Sequence, residues 1–147
     1  MSSVRIQSED FDPGAEMAAL KNGQNEAGAV VSFVGLVRGD DGLNAMTLEH
    51  YAKFALREIT DHVEQAKTRW PLLDVRVVHR TGRLTPGERI VFVGVSSAHR
   101  QAAFEAASFL MDYLKTRAPF WKLEERAGEE RWVEERARDD ESVKRWH

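Results

Sequence analysis

The residues of this chain whose types and positions could bind an anion or move a proton are Arg38, His50, His79, His99, Arg100, Lys115 and Lys122. Arg38 closes an apolar run at the point where a strand gives way to a loop, and side chains at element ends meet solvent-accessible clefts. His99 and Arg100 stand just behind Ser97, which reads as the cap of a helix. Free backbone N–H groups at a helix start attract anions, and two cationic side chains would reinforce them. Basic residues in a first turn are more often simply solvated, with no ligand. Lys122 lies in Phe120-Trp121-Lys122-Leu123-Glu124, where alternation puts Lys122 and Glu124 on one face and Trp121 and Leu123 on the other. Half-buried lysines beside aromatics can serve as general bases or amine nucleophiles, although many only lay their stems along apolar surface. Lys115 falls in a last helical turn, where the dipole alone favours lysine. His50 and His79 are lone histidines on strands, which are more often structural.

The elements that must hold these residues follow from periodicity and punctuation. Val4–Gln7 reads as a short strand, and Asp12-Pro13 opens a helix to about Lys21 with a cap and an N1 proline. Gly28–Val37 is β-rich and apolar and reads as a buried strand. It runs into the loop Arg38-Gly39-Asp40-Asp41-Gly42, whose aspartates are expected to face solvent. Ala45–Tyr51 reads as the returning strand. Lys53–Trp70 follows as an amphipathic helix with Leu56, Ile59, Val63, Ala66 and Trp70 in one stripe, stopped by Pro71. Leu73–His79 and Arg89–Ser96 read as a hairpin across a type II turn, Thr85-Pro86-Gly87-Glu88. A helix capped by Ser97 runs to about Arg117, apolar around most of its circumference and therefore buried on more than one side. Phe120–Glu124 and Arg131–Glu135 read as two strands around Ala127-Gly128. A charged tail follows from Arg136, with Trp146 as a possible anchor. The pattern is α+β, dominated by antiparallel pairings.

The bulk properties narrow the classes. A chain of 147 residues fits a single domain, 1–147, able to bury a core. Its 42% hydrophobic and 31% charged residues are those of a soluble globular protein. A net charge of -3 argues against coating nucleic acid or an anionic membrane, so any anion site is a local concentration of bases. No apolar run approaches a membrane span, and the N-terminus lacks the pattern of a signal peptide, so a cytoplasmic protein is expected. The absence of cysteine removes disulfides, thiolate metal sites and cysteine nucleophiles. The histidines show no metal-ligand spacing, and there is neither a P-loop nor a dinucleotide fingerprint. No metal and no cofactor are expected.

Several blocks, in order and over nearly the whole chain, resemble the molybdopterin synthase large-subunit family. They are Gly28-Ala29-Val30-Val31-Ser32-Phe33-Val34-Gly35-Leu36-Val37-Arg38, Leu48-Glu49-His50-Tyr51, His79-Arg80-Thr81-Gly82-Arg83-Leu84, Val93 to Arg100, and Met111 to Lys122. The resemblance implies an α/β-hammerhead fold, an antiparallel sheet packed with helices plus a small β subdomain. It also implies a homodimer carrying one small ubiquitin-like sulfur-carrier subunit at each end, a heterotetramer in all. The carrier's C-terminal Gly-Gly tail bears a thiocarboxylate and enters a pocket of the large subunit. The implied substrate is cyclic pyranopterin monophosphate (precursor Z), and the product is molybdopterin with its dithiolene.

Carried onto matching positions, Lys115 and Lys122 look like the catalytic pair. Leu36, Val37, Arg38, His99, Arg100, Lys115, Lys122, Leu123 and Glu124 look like substrate contacts. Phe33 and Met111 look like the lining of the tail channel. A chain without cysteine suits this scheme, because the sulfur arrives on a partner. After Arg38, however, the family usually has a longer loop with asparagine and histidine, where this chain has a short acidic one. The cationic set is expected to converge in one cage. Two rival readings are a non-enzymatic docking module for a ubiquitin-like partner and a small nucleic-acid-binding domain; the acidic charge counts against the second.

Overall fold

The structure, a computed structural model, describes residues 1–23, 25–40, 42–126 and 129–132. In chain order these form β1 (Ser2–Gln7), α1 (Pro13–Ala18), β2 (Ala29–Leu36), β3 (Leu43–His50), α2 (Ala52–Arg69), β4 (Leu72–Arg80), β5 (Gly82–Leu84), β6 (Arg89–Ser97), α3 (Arg100–Thr116), β7 (Phe120–Arg126) and β8 (Glu129–Trp132). Two four-stranded sheets result, ordered β1-β4-β6-β2 and β5-β3-β7-β8. The β1–β4 pairing is parallel and the other pairings are antiparallel. The α+β expectation holds, with a helix-packed sheet and a smaller all-β unit.

The main core lies between the first sheet and α2 and α3. Ile59, Val63 and Ala66 of α2, Ala103, Ala106, Ala107 and Leu110 of α3, Val75 and Val77 of β4, and Val91, Val93 and Val95 of β6 form one buried cluster. Alanines on α3 let the helix approach the sheet closely, and the spacing of 103, 106, 107 and 110 keeps that stripe on one side. β6 is covered on both faces: Phe92 points away from the helices and packs edge-on against Phe11 of the segment before α1, at 6.3 Å. Glu16 of α1 is buried between Arg5 of β1 and Arg76 of β4, and the Arg76 contact is 2.9 Å. Burial alone would raise its pKa, but the two guanidinium hydrogen bonds prevail and hold the carboxyl below its usual range. Val37, Met46, Leu48 and Leu84 form a second buried cluster where the two sheets meet.

Several expectations need correction. Gly28–Val37 contains an edge strand rather than a buried one, and Val30, Phe33 and Leu36 are exposed. An edge strand is covered only where α3 reaches over it, so an apolar run alone cannot say how central a strand is. Ser97 is not a helix cap: it ends β6, is buried, and donates its hydroxyl to the Pro71 carbonyl at 2.8 Å. α3 starts at Arg100 with His99 at the N-cap position, without a side-chain cap. α1 ends at Ala18, and in α2 the buried stripe takes Ala55 while Leu56 is exposed. The β4–β6 hairpin is real, but β5 leaves it to pair with β3 in the other sheet. The turn before β6 forms as expected, with Gly87 at φ 93° and the Glu88 N–H donated to the Thr85 carbonyl at 3.1 Å. Ala127-Gly128, the 133–135 part of the last expected strand, and the tail with Trp146 lie outside the described residues.

Candidate active site

Between the two sheets, beside the C-terminal turns of α3, lies a cavity of about 700 Å³. Each wall follows from a local period. On α3, Met111, Leu114 and Lys115 share one face by i, i+3, i+4 spacing and line the cavity together. On β7, Lys122, Glu124 and Arg126 alternate onto the face that looks inward. Lys122 is paired with Leu48 and Glu124 with Met46, so the polar side chains stand beside the apolar cluster that joins the sheets. Phe33, Leu36, Val37 and Arg38 come from the end of β2 and the turn after it, His79 from β4, and Ile90 and Val91 from β6.

The charges are organised around Asp40. Its carboxylate accepts from Arg38 at 2.9 Å and lies 3.7 Å from an Arg126 Nη2, and its carbonyl accepts from Arg126 Nη1 at 2.8 Å. Arg126 Nε also donates to the buried Glu124 carboxylate at 3.0 Å. Asp40 therefore faces the cavity mouth, contrary to the expectation of a solvent-facing aspartate; Asp41 lies outside the described residues. Four cationic side chains (Arg38, Lys115, Lys122, Arg126) meet two carboxylates in the lining, which leaves the cavity net positive inside a chain of net charge -3. Arg38 is 70% exposed, and an exposed ion pair is worth at most about 1 kcal/mol, so an incoming anion can replace Asp40 at little cost.

His79 is the buried exception. Its Nδ1 faces the Arg80 carbonyl at 2.8 Å, and its ring stacks on Phe120 at 4.1 Å and 15°. Burial pushes its pKa down to about 4, and the nearby His50 and Lys115 push the same way against the Arg80 hydrogen bond, so the imidazole is neutral.

A family model for the MoaE protein matches residues 6–117. The chain is 55% identical to a molybdopterin synthase catalytic subunit of Mesorhizobium japonicum, spanning 98% of this chain and 92% of that one. It is 52% identical to one from Pseudomonas aeruginosa, spanning 98% of both. The chain belongs to the MoaE family. A solved MoaE structure from Burkholderia ambifaria matches with a TM-score of 0.85 at 46% identity, covering 99% of this chain and 98% of the other. The MoaE fold also matches a complex of subunits 1 and 2 of the molybdopterin-converting factor from Helicobacter pylori, with a TM-score of 0.72 at 20% identity over 90% of this chain and 91% of that one, a likeness of fold.

This MoaE chain brings Phe33, Leu36, Val37, Arg38, Met111, Lys115, Lys122 and Glu124 to one cavity. Leu123 does not line it, because alternation turns that side chain to the other face of β7. His99 and Arg100 are exposed at the opposite end of α3, roughly 22 Å from Lys115 at 1.5 Å per residue. The expected five-residue cage is thus divided within one chain. Arg126, Asp40 and His79 escaped the sequence reading as cavity residues. Arg126 was findable, since the alternation that pairs Lys122 with Glu124 extends to it; Asp40 and His79 needed the tertiary fold.

Proposed function

We infer that this chain is the catalytic subunit of a molybdopterin synthase, converting cyclic pyranopterin monophosphate to molybdopterin with two sulfurs from the thiocarboxylated tail of a small ubiquitin-like subunit. The observation that carries the reading is the net-positive cavity holding Arg38, Lys115, Lys122 and Arg126 beside the apolar Phe33 and Met111, in a MoaE-family chain. Cations gathered on one cleft bind the phosphate and stabilise charge that develops as sulfur attacks and the cyclic phosphate opens. Lys115 acts on the thiocarboxylate carbonyl as polarising group and proton donor, and Lys122 positions the pterin or shares the proton transfer. Two sulfurs require two charged carriers in turn, with the half-sulfurated intermediate retained.

His99 and Arg100 fit this scheme in trans. Since they cannot reach the cavity of their own chain, a second copy in a homodimer would present its α3 start to the cavity mouth and complete the anion cage. No helix among the described residues is long and apolar enough to cross a membrane. We place the protein, as one domain, in the cytoplasm. The test is reconstitution of the chain with thiocarboxylated small subunit and cyclic pyranopterin monophosphate. Dithiolene product is expected, and binding of the carrier with no product would favour a non-enzymatic docking module.

A further inference from the structure

His79 has no part in the chemistry just described, yet it is a buried and closely held polar group of the cavity wall. It is 6% exposed, its ring is fixed by the stack on Phe120, and it lines the cavity. The Arg80 carbonyl 2.8 Å from Nδ1 can only accept, so Nδ1 must carry the proton and Nε2 the lone pair. Nε2 makes no hydrogen bond among the described residues, and it is not sealed in the interior either, because only Arg76 Nε and Tyr113 Oη are both fully buried and without a partner there. It therefore keeps some access, and His79 is part of the cavity lining. The other polar side chains of the lining are charged, apart from Thr116, whose hydroxyl is donated to the Asp112 carbonyl at 2.7 Å. Charged groups recognise a phosphate but say little about the heterocycle attached to it.

We propose that His79 Nε2 is a specificity-determining acceptor for a ring N–H of the pterin, reading the heterocycle while the cationic side chains hold its phosphate. The proposal rests on the synthase reading of the cavity. It needs an acceptor that cannot turn into a donor, and the surroundings provide that. The Arg80 carbonyl fixes the tautomer, while burial, with His50 from β3 and Lys115 from α3, disfavours a second proton. Lys122 and Arg126, and the carboxylates Glu124 and Asp40, are the other charged groups near it in the cavity lining, with Arg38 at the mouth.

The experiment compares His79→Asn, whose amide can keep the Nδ1 contact but has nothing at the Nε2 position, with His79→Gln, whose carbonyl reaches that position. Calorimetric titration with cyclic pyranopterin monophosphate should show affinity about tenfold to a hundredfold weaker in His79→Asn, the cost of leaving a buried donor unpaired. Substantial recovery is expected in His79→Gln, and inorganic phosphate should bind all three proteins alike. Equal affinity of wild type and His79→Asn for the pterin would overturn the proposal. Failure of the wild type to bind the pterin at all would instead sink the synthase reading. Should the variants not fold, ¹⁵N-histidine NMR of the unsubstituted protein decides: the His79 Nε2 resonance must move on saturation with the pterin and stay in place with phosphate alone, and an unmoved resonance refutes the contact.

Discussion

Asp40 stands between Arg38 and Arg126 and so sets how much positive charge the cavity mouth offers. Replacing it by asparagine keeps the size and removes the negative charge. Asp40→Asn is expected to bind inorganic phosphate several-fold more tightly at low salt, with the gain shrinking as salt rises. Titration at two ionic strengths checks this, and unchanged or weaker binding would mean that Asp40 does not compete with the anion. Lys115 is exposed on the last turns of α3. Lys115→Ala should therefore leave the urea midpoint within about 0.5 kcal/mol of wild type and reduce product formation by at least about a hundredfold, as loss of an acid–base or polarising group does. Full turnover by the variant removes Lys115 from the mechanism.

At the scale of elements, the β2–β6 pairing governs where α3 begins. Gly28 donates its N–H to the Ser97 carbonyl at 3.0 Å, and a Cβ built at Gly28 would lie 2.2 Å from the Ala98 carbonyl oxygen. Backbone cannot step aside as a flexible side chain can. Gly28→Ala should cost about 1–3 kcal/mol, read as a lower urea midpoint, by forcing apart the corner that leads into α3. A stability equal to wild type would show that the corner has slack. Much of this level was readable in advance. The alternation of β4 and β6, the glycine of the Thr85–Glu88 turn and the period of α2 each carry a local signal. What escaped was non-local. β5 is three residues long and exists because β3 offers it a partner; β2 is an edge because, among the described residues, no strand follows it in the sheet; Ser97 looks like a cap but spends its hydroxyl on Pro71. The site divides in the same way. Lys122 and Glu124 were visible from alternation, Lys115 was supplied only by the family resemblance, and His79 becomes notable only once Phe120 and the Arg80 carbonyl are around it.

At the scale of the whole molecule, the buried imidazole makes folding sensitive to acid. Burial, with help from His50 and Lys115, lowers His79 from 6.5 to about 4, so between those values the unfolded chain holds a proton that the folded chain lacks. The His79 contribution is expected to leave stability undiminished above about pH 6.5 and to lower it as the pH drops toward 4, by about 3 kcal/mol in all. Urea titrations at several pH values should show that slope in the wild type and its loss in His79→Asn; parallel curves would rule out His79 as the source. Assembly provides a second test. A Lys115→Ala chain mixed with a His99→Ala, Arg100→Ala chain should regain about a quarter of wild-type sites, since half of randomly formed dimers are mixed and each has one intact cavity. No recovery, with mixed dimers verified, would mean that His99 and Arg100 serve some other purpose.

α3 carries Arg100 on its first residue and Lys115 near its last, with alanines clamped to the sheet between them. Such a rod fixes a phase as well as a length. One inserted residue would swing whatever follows it by about 100° and carry it about 1.5 Å further along the axis, turning Lys115 out of its cavity while leaving Arg100 where it was. The register of this helix is thereby tied to both of its ends at once.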